Sequence, residues 1–276
     1  MCARAAPWLE ELFNVTKPIV GVVHLKPLPG SPAYRGRFED VVDAALRDAR
    51  SLVEGGVDGV LVENYGDRPF RAGRVGAETA AAMAVVVREV VREVGAPVGV
   101  NVLRNDGPTA VAVAAASGAR FVRVNVYVGA AATDQGIIRG CASEVVELRS
   151  RLRSDVKVMA DVAVKHARQL AYSSLRDEAL DAVERGMADA LIVTGPRTGA
   201  PPSVEHVAEA KQAVPLTPVL VGSGLCPANA EELLRASDGG IVGTYFRGGS
   251  LESPVDVRRV GEFMRVVKGL RARLRK

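Results

Sequence analysis

Five polar side chains close short, valine-rich apolar runs: His24, Glu63, Asn101, Asn125 and Asp161. One imidazole and two carboxylates can move protons near neutral pH. Two amides can orient hydroxyls or a carbonyl by donating and accepting at once. Arg123 precedes Asn125 by two positions, so in a strand it shares Asn125's direction, one layer deeper. A buried guanidinium without a partner is costly. Arg123 is therefore expected to pair with Asp161 or Glu63, or else to meet a substrate phosphate directly. Lys165 and His166 lie just beyond Asp161. A lysine there could contact phosphate, form a Schiff base or stand as a surface charge. In E-N-Y-G-D-R-P-F, Asn64 and Asp67 follow Glu63. Asp67 could orient a catalytic group, bind a metal or close a turn through its backbone. The candidate catalytic set is His24, Glu63, Asp67, Asp161 and Lys165. Asn64, Asn101, Arg123, Asn125, Thr194 and Gly195 are candidate substrate contacts.

A second chemistry is written in glycine. The apolar run Pro218–Val221 ends in Gly222-Ser223-Gly224, and the run from Gly240 ends in Gly243-Thr244. Without Cβ atoms the backbone can approach a ligand, and amide N–H groups at such turns bind anions. Gly222, Ser223, Gly224, Gly243 and Thr244 are the candidate phosphate contacts. The alternative is a pair of tight turns in which glycine serves sterics alone.

These residues need a scaffold that brings strand ends together. Candidate strands are Ile19–His24, Val57–Glu63, Pro97–Val102, Arg120–Val126, Val156–Val162, Asp189–Val193, Thr217–Val221 and Gly239–Gly243, with helical patterns between and after them. Val-rich strands alternating with helices predict parallel pairing with α crossovers. Eight such units predict an α/β fold, a closed (β/α)8 TIM barrel, in one domain over residues 1–276 with an N-terminal extension of about 17 residues. The segment Pro7–Asn14 is expected to form a short helix under the barrel. An open doubly wound sheet is the alternative; its G-x-G-x-x-G fingerprint is absent. The long segments Leu25–Arg37, Asn64–Gly76 and Tyr127–Gly140 all follow strands, as loops of an active-site face would. The first, carrying Lys26, Tyr34 and Arg35, is expected to act as a lid.

Composition narrows the class. Of 276 residues 48% are hydrophobic, yet no run approaches the roughly 20 apolar residues of a membrane span. Pro7, Glu10 and Glu11 break any signal-like segment, so a cytoplasmic location is expected. Cys2, Cys141 and Cys226 stand too far apart for a disulfide framework or a metal knuckle. The net charge is +4 and mostly dispersed, and aromatics are only 4%, which argues against nucleic-acid binding. The basic end, Lys268–Lys276, leaves a peripheral membrane contact open. No motif demands a cofactor. His24, Glu63 and Asp161 could hold a divalent metal, although no tight ligand spacing such as H-E-x-x-H occurs.

The motifs H-L-K-P-L-P-G-S-P and D-G-V-L-V-E-N-Y-G-D-R-P-F are long and specific. With V-G-V-N-V-L-R-N-D, F-V-R-V-N-V, M-A-D-V-A-V-K-H-A, L-I-V-T-G and V-L-V-G-S-G, the chain resembles the BtpA family, which includes SgcQ members, over about residues 17 to 268. The resemblance implies a TIM barrel of the ribulose-phosphate-binding type. It carries the motif positions His24, Glu63, Asn64, Asp67, Asn101, Asn125, Asp161 and Lys165 without assigned chemical roles. The family name implies a part in photosystem I biogenesis.

The reading that results is an enzyme acting on a small phosphorylated metabolite, a sugar or nucleoside phosphate, through isomerase- or lyase-type acid–base chemistry. Barrels of this size often self-associate, so a homo-oligomer is expected. The alternative is a non-catalytic assembly factor that uses the barrel for protein or membrane contacts.

Overall fold

The computed structural model describes residues 7–274. Eight strands are hydrogen-bonded in parallel into a closed ring: β1 (Ile19–His24), β2 (Gly59–Glu63), β3 (Val98–Asn101), β4 (Phe121–Val124), β7 (Lys157–Val162), β9 (Ala190–Val193), β10 (Val219–Val221) and β11 (Gly239–Val242), which returns to β1. Helices α2 (Glu39–Glu54), α3 (Ala77–Glu93), α4 (Gly107–Ser117), α5 (Ala142–Arg151), α6 (Leu175–Leu180), α7 (Val204–Ala213), α8 (Ala230–Ala236) and α9 (Val257–Leu274) follow the strands. The predicted single-domain TIM barrel is what forms.

Side-chain alternation separates two cores. Val23, Val60, Val62, Val100, Val122, Val158, Leu191 and Val221 face the helices. Val20, Val22, Leu61, Phe121, Met159, Ala190, Ile192, Leu220 and Ile241 fill the barrel. That inward row carries the chemistry. Two residues beyond Val22 comes His24; beyond Leu61, Glu63; beyond Phe121, Arg123 and then Asn125; beyond Met159, Asp161. The register puts three of these ends at one level, with His24 opposite Glu63 and Glu63 opposite Asn101.

The expected N-terminal helix is α1 (Trp8–Phe13), closed by Asn14 in a left-handed conformation. Six residues are too few to hold a helix alone, so burial must hold this one. Leu9 and Phe13 join the barrel interior, and the Phe13 and Phe121 rings meet edge to face at 5.7 Å. A Cβ on Gly59 would lie 2.5 Å from the Phe13 ring, so glycine there makes room for the plug.

Several expectations need correction. Tyr127–Gly140 is no plain loop. It folds into a hairpin of β5 (Ala130–Thr133) and β6 (Gly136–Arg139), and β8 (Ala167–Gln169) pairs with β5 to give a three-stranded antiparallel sheet. Alanine-rich strands of four residues or fewer carry too weak an alternation to be read from sequence. Helix α6 gives way at once to a π-helical turn at Asp181–Arg185. The first long segment, expected as a lid, lines neither lobe of the central cavity. Leu25 and Leu28 are buried, and Leu28 N–H donates to Asp67 Oδ1 at 2.8 Å. The basic tail is partly spent inside the fold: Arg271 pairs with Asp58 and donates to Lys17 O, and Arg273 reaches Glu231 at 2.8 Å. Arg275 and Lys276 lie outside the described residues. Among the described residues no helix is long and apolar enough to cross a membrane.

Removing the plug tests its role. Phe13→Ala should cost about 3–5 kcal/mol in denaturant unfolding, the range for a buried phenylalanine, and leave ligand affinity at the opposite end of the barrel unchanged.

Candidate active site

Arg123 organises the C-terminal end of the barrel. Its Nε and Nη2 donate to Asp161 Oδ1 and Oδ2, both at 2.9 Å, and its Nη1 donates to Glu63 Oε1 at 3.3 Å. All three side chains are buried. Bidentate geometry offsets the desolvation that such a burial costs. Asn101 Nδ2 donates to Glu63 Oε1 at 3.1 Å, and Asn125 Nδ2 to Asp161 Oδ2 at 2.9 Å. Burial alone would push the Glu63 carboxyl up; Arg123, with His24, Lys165 and Asn101, brings it below its ordinary value. Burial works against the Arg123 charge too, but its two carboxylates hold it more firmly protonated than usual.

His24 and Lys165 respond differently. Burial lowers the His24 imidazole to about 4, against the opposing pull of Glu63. His24 Nε2 lies 3.9 Å from Glu63 Oε2, so at neutral pH this is a contact with a neutral ring and no ion pair. The ring stacks on Tyr65 at 4.6 Å. Burial, then the neighbouring Arg123, lowers the Lys165 amine to about 8, which leaves a usable fraction unprotonated near neutrality. The backbone of Lys165 is held from both sides. Its N–H donates to Thr194 Oγ1 at 2.8 Å, and its carbonyl accepts from Arg104 Nη2 at 2.7 Å. Ala163 and His166 flank it with positive φ of 49° and 56°, an uncommon backbone for residues with side chains. Thr198 N–H donates to His166 Nε2 at 3.1 Å, which assigns the ring proton to Nδ1.

Two lobes open above this cluster. The first, of about 360 Å³, is lined by Gly222, Ser223, Gly224, Gly243, Thr244 and Arg259 together with His24 and Lys165. A Cβ on Gly222 would come 2.3 Å from Ile192, and one on Gly224, at φ +69°, would strike the Ala200–Pro201 backbone. Among the described residues the Ser223 and Gly224 amides have no intramolecular acceptor, so they are free for an anion. The second lobe, of about 370 Å³, is lined by Asn101, Arg104, Asn125, Asp134, His166 and Phe70. Glu63, Tyr65, Arg123, Lys165 and Thr198 line both.

A family model described as "BtpA family" matches residues 15–269. The chain belongs to the BtpA family. It is 49% identical to the uncharacterised protein PH1209 of Pyrococcus horikoshii over 94% of this chain and 98% of that one. It is 43% identical to the Photosystem I biogenesis protein BtpA of Synechocystis, covering 96% and 93%. Among solved structures it resembles a thiamine phosphate pyrophosphorylase from Pyrococcus furiosus, with a TM-score of 0.57 at 20% identity over 94% and 98% of the two chains. At that identity the likeness is one of fold.

Not every motif position of this BtpA-family chain reaches the cavity. Asn64 Oδ1 accepts the Leu103 N–H at 2.7 Å, and Asn64 Nδ2 donates to Asp67 Oδ2 at 3.0 Å. Both residues face a separate cleft beside Gly30 and Thr79, where they tie loops together. Burial raises the Asp67 carboxyl. Thr194 points inward but its hydroxyl bridges Lys165 N–H and Ala163 O. Gly195 N–H donates to Ser223 Oγ, which itself donates to Ala200 O, so the Ser223 hydroxyl is occupied and only its amide is open. Thr194 and Gly195 line an outer cleft and miss the central lobes. Among the described residues no group of three or more His, Cys, Asp or Glu side chains is placed to hold a metal ion; both Asp161 oxygens accept from Arg123, and Oδ2 also from Asn125. Sequence reading missed Tyr65, Arg104 and Arg259. Arg104 and Tyr65 follow the ends of β3 and β2 closely, which is a usable signal; Arg259 arrives from α9 and has none.

Two measurements probe the cluster. Arg123→Met should destabilise the fold by about 3–5 kcal/mol, since it strands two buried carboxylates. The Lys165 pKa is lowered on folding, so its charge opposes folding fully below pH about 8, and stability recovers as pH rises from there toward the unfolded value of 10.5. Lys165→Met should therefore gain stability over wild type at pH 7, and the gain should shrink in unfolding curves taken between pH 8 and 10.

Proposed function

We propose that this barrel is an enzyme that acts on a small phosphorylated metabolite, a sugar or nucleoside phosphate, by acid–base chemistry of the isomerase or lyase type. One observation carries the reading: the glycine lobe opens directly onto Lys165, Glu63 and Arg123, which also line its neighbour. A phosphate in the glycine lobe would accept the Ser223 and Gly224 amides, with Arg259 supplying charge. That anchor would hold the rest of the ligand over the titratable cluster, where orientation lowers the barrier.

Within the cluster the roles divide by proton affinity. The Lys165 amine, lowered to about 8, takes a proton from a carbon beside a carbonyl and returns it to the neighbouring position. His24, neutral at working pH, offers a ring N–H to a developing oxyanion without carrying charge. Glu63 and Asp161 stay engaged with Arg123 and set the field in which Lys165 titrates.

A second reading rests on the Synechocystis relative, whose name is photosystem I biogenesis protein. On that reading the barrel is an assembly factor with peripheral contacts. Membrane fractionation of the full chain, with stable association expected only of an assembly factor, separates the two.

The test of the enzyme reading is a thermal-shift panel of phosphosugars and nucleoside phosphates against the same compounds without phosphate. Stabilisation by phosphorylated members alone is expected. A Cβ at Gly243 would stand 3.5 Å from His24 and Val22, an ordinary contact. Gly243→Ala should thus fold with a stability change of about 0.5 kcal/mol or less and weaken phosphate-dependent binding. A panel in which no phosphorylated compound shifts the melting curve rules the reading out.

A further inference from the structure

Among the described residues four arginines are buried: Arg104, Arg123, Arg247 and Arg271. Three of them meet a carboxylate. Arg123 is held by Asp161 and Glu63, Arg247 by Asp48 at 2.7 Å, and Arg271 by Asp58. Arg104 is 5% exposed and, among the described residues, is paired with no carboxylate. Its one side-chain hydrogen bond goes from Nη2 to Lys165 O. The remaining guanidinium N–H groups are not sealed in protein; they open on the second lobe. Burial lowers this cation's proton affinity, and Asp161, Asp134 and Glu63 offset that only at a distance, without the direct ion pair the other three have.

Beside it in the same lobe stands Asn125, 2% exposed. Both Asp161 oxygens already accept from Arg123, and Asn125 Nδ2 donates to Oδ2, so its Oδ1 is the atom turned away. That Oδ1 is buried without a partner. A guanidinium with no carboxylate partner and an orphaned acceptor among the lining of one cavity make a complementary pair of vacancies. One asks for an anion, the other for a hydroxyl or amine N–H. Lys165 and His166 add positive or neutral donors around them, and two carboxylates line the lobe: Glu63, engaged with Arg123, and the exposed Asp134 on the β5–β6 turn.

We propose that the second lobe is an anion subsite in its own right, in which Arg104 holds a carboxylate or second phosphate at the end of the substrate remote from the glycine lobe while Asn125 Oδ1 accepts from an adjacent hydroxyl. The substrate of the enzyme is then doubly anionic: a phosphorylated sugar acid or a bisphosphate. This rests on the phosphate reading of the glycine lobe and goes beyond it by specifying what the other end carries. A guanidinium binds either anion through paired N–H groups.

The experiment compares matched ligands by calorimetric titration of the full chain. Glycerol 3-phosphate is set against 3-phosphoglycerate, glucose 6-phosphate against 6-phosphogluconate, and fructose 6-phosphate against fructose 1,6-bisphosphate, with inorganic phosphate as the common probe. At least one doubly anionic member should bind about tenfold or more tightly than its partner, the gain of one charge-assisted contact. Whether the acid or the bisphosphate shows the gain identifies the second anion. Arg104→Met should reduce that gain to within about twofold, read as the ratio of the paired affinities so that any change common to both members cancels. If Arg104→Met fails to fold by circular dichroism, Arg104→Lys takes its place, and loss of most of the advantage is expected because the fork is gone. Phosphomonoesters that bind as tightly as every doubly anionic partner overturn the subsite and leave the glycine-lobe reading standing. A gain that survives at Arg104 variants overturns it as well. If neither inorganic phosphate nor any ligand binds, both readings fall together.

Discussion

The bidentate pair between Arg123 and Asp161, extended to Glu63, is the constraint on which the upper half of this barrel depends. A barrel interior is normally apolar, and here it becomes polar from the level of Arg123 upward. Two carboxylates and a guanidinium can be buried together only if each satisfies the others. Asn101 and Asn125 complete the count by donating to the carboxylate oxygens the arginine shares. The cluster therefore acts as a floor. Below it, Phe121, Met159 and the α1 plug close the barrel; above it, the cavity opens.

That floor also sets the electrostatics of the mouth. Arg123, Lys165 and Arg259 line the glycine lobe against Glu63, and Arg104, Arg123 and Lys165 line the second lobe against Glu63 and Asp134, so the lining is biased toward anions. His24 does not add to the bias, because burial keeps it neutral. Lys165 sits between the two lobes with its backbone pinned by Thr194 and Arg104 and its amine as the titratable element. Glycine at 222 and 224 is required by close packing against Ile192 and the Ala200–Pro201 backbone, and the same absence of side chains leaves amides open to an anion. Steric and functional accounts of these glycines are thus the same geometry seen from two sides.

The small antiparallel sheet changes the reading of the rim. Its turn carries Asp134 and Gln135 over the second lobe, and β8 ties it to the segment that holds Lys165 and His166. Residues such as Asn64 and Asp67, which share the BtpA-family motifs, serve this rim by locking loops in place. A motif residue can matter to a site it never touches, by holding the backbone of one that does.

The barrel itself, its eight strands, the N-terminal plug and the inward row of His24, Glu63, Asn101, Arg123, Asn125 and Asp161 were legible in the sequence. The reason is that a strand has a period of two, so the parity of Val22, Leu61, Phe121 and Met159 fixes where the polar ends must point. Pairing of Arg123 also followed, since no buried guanidinium can stand alone in an apolar barrel at tolerable cost. What period and parity cannot give is the direction of a side chain after its strand ends. Tertiary structure alone sent Asn64, Asp67, Thr194 and the Ser223 hydroxyl into loop-binding roles, brought Arg259 in from a helix distant in the chain, and left Arg104 without a carboxylate. Those outcomes depend on which loops pack against one another, a matter of contacts far apart in sequence and of where the short β5–β6 hairpin settles.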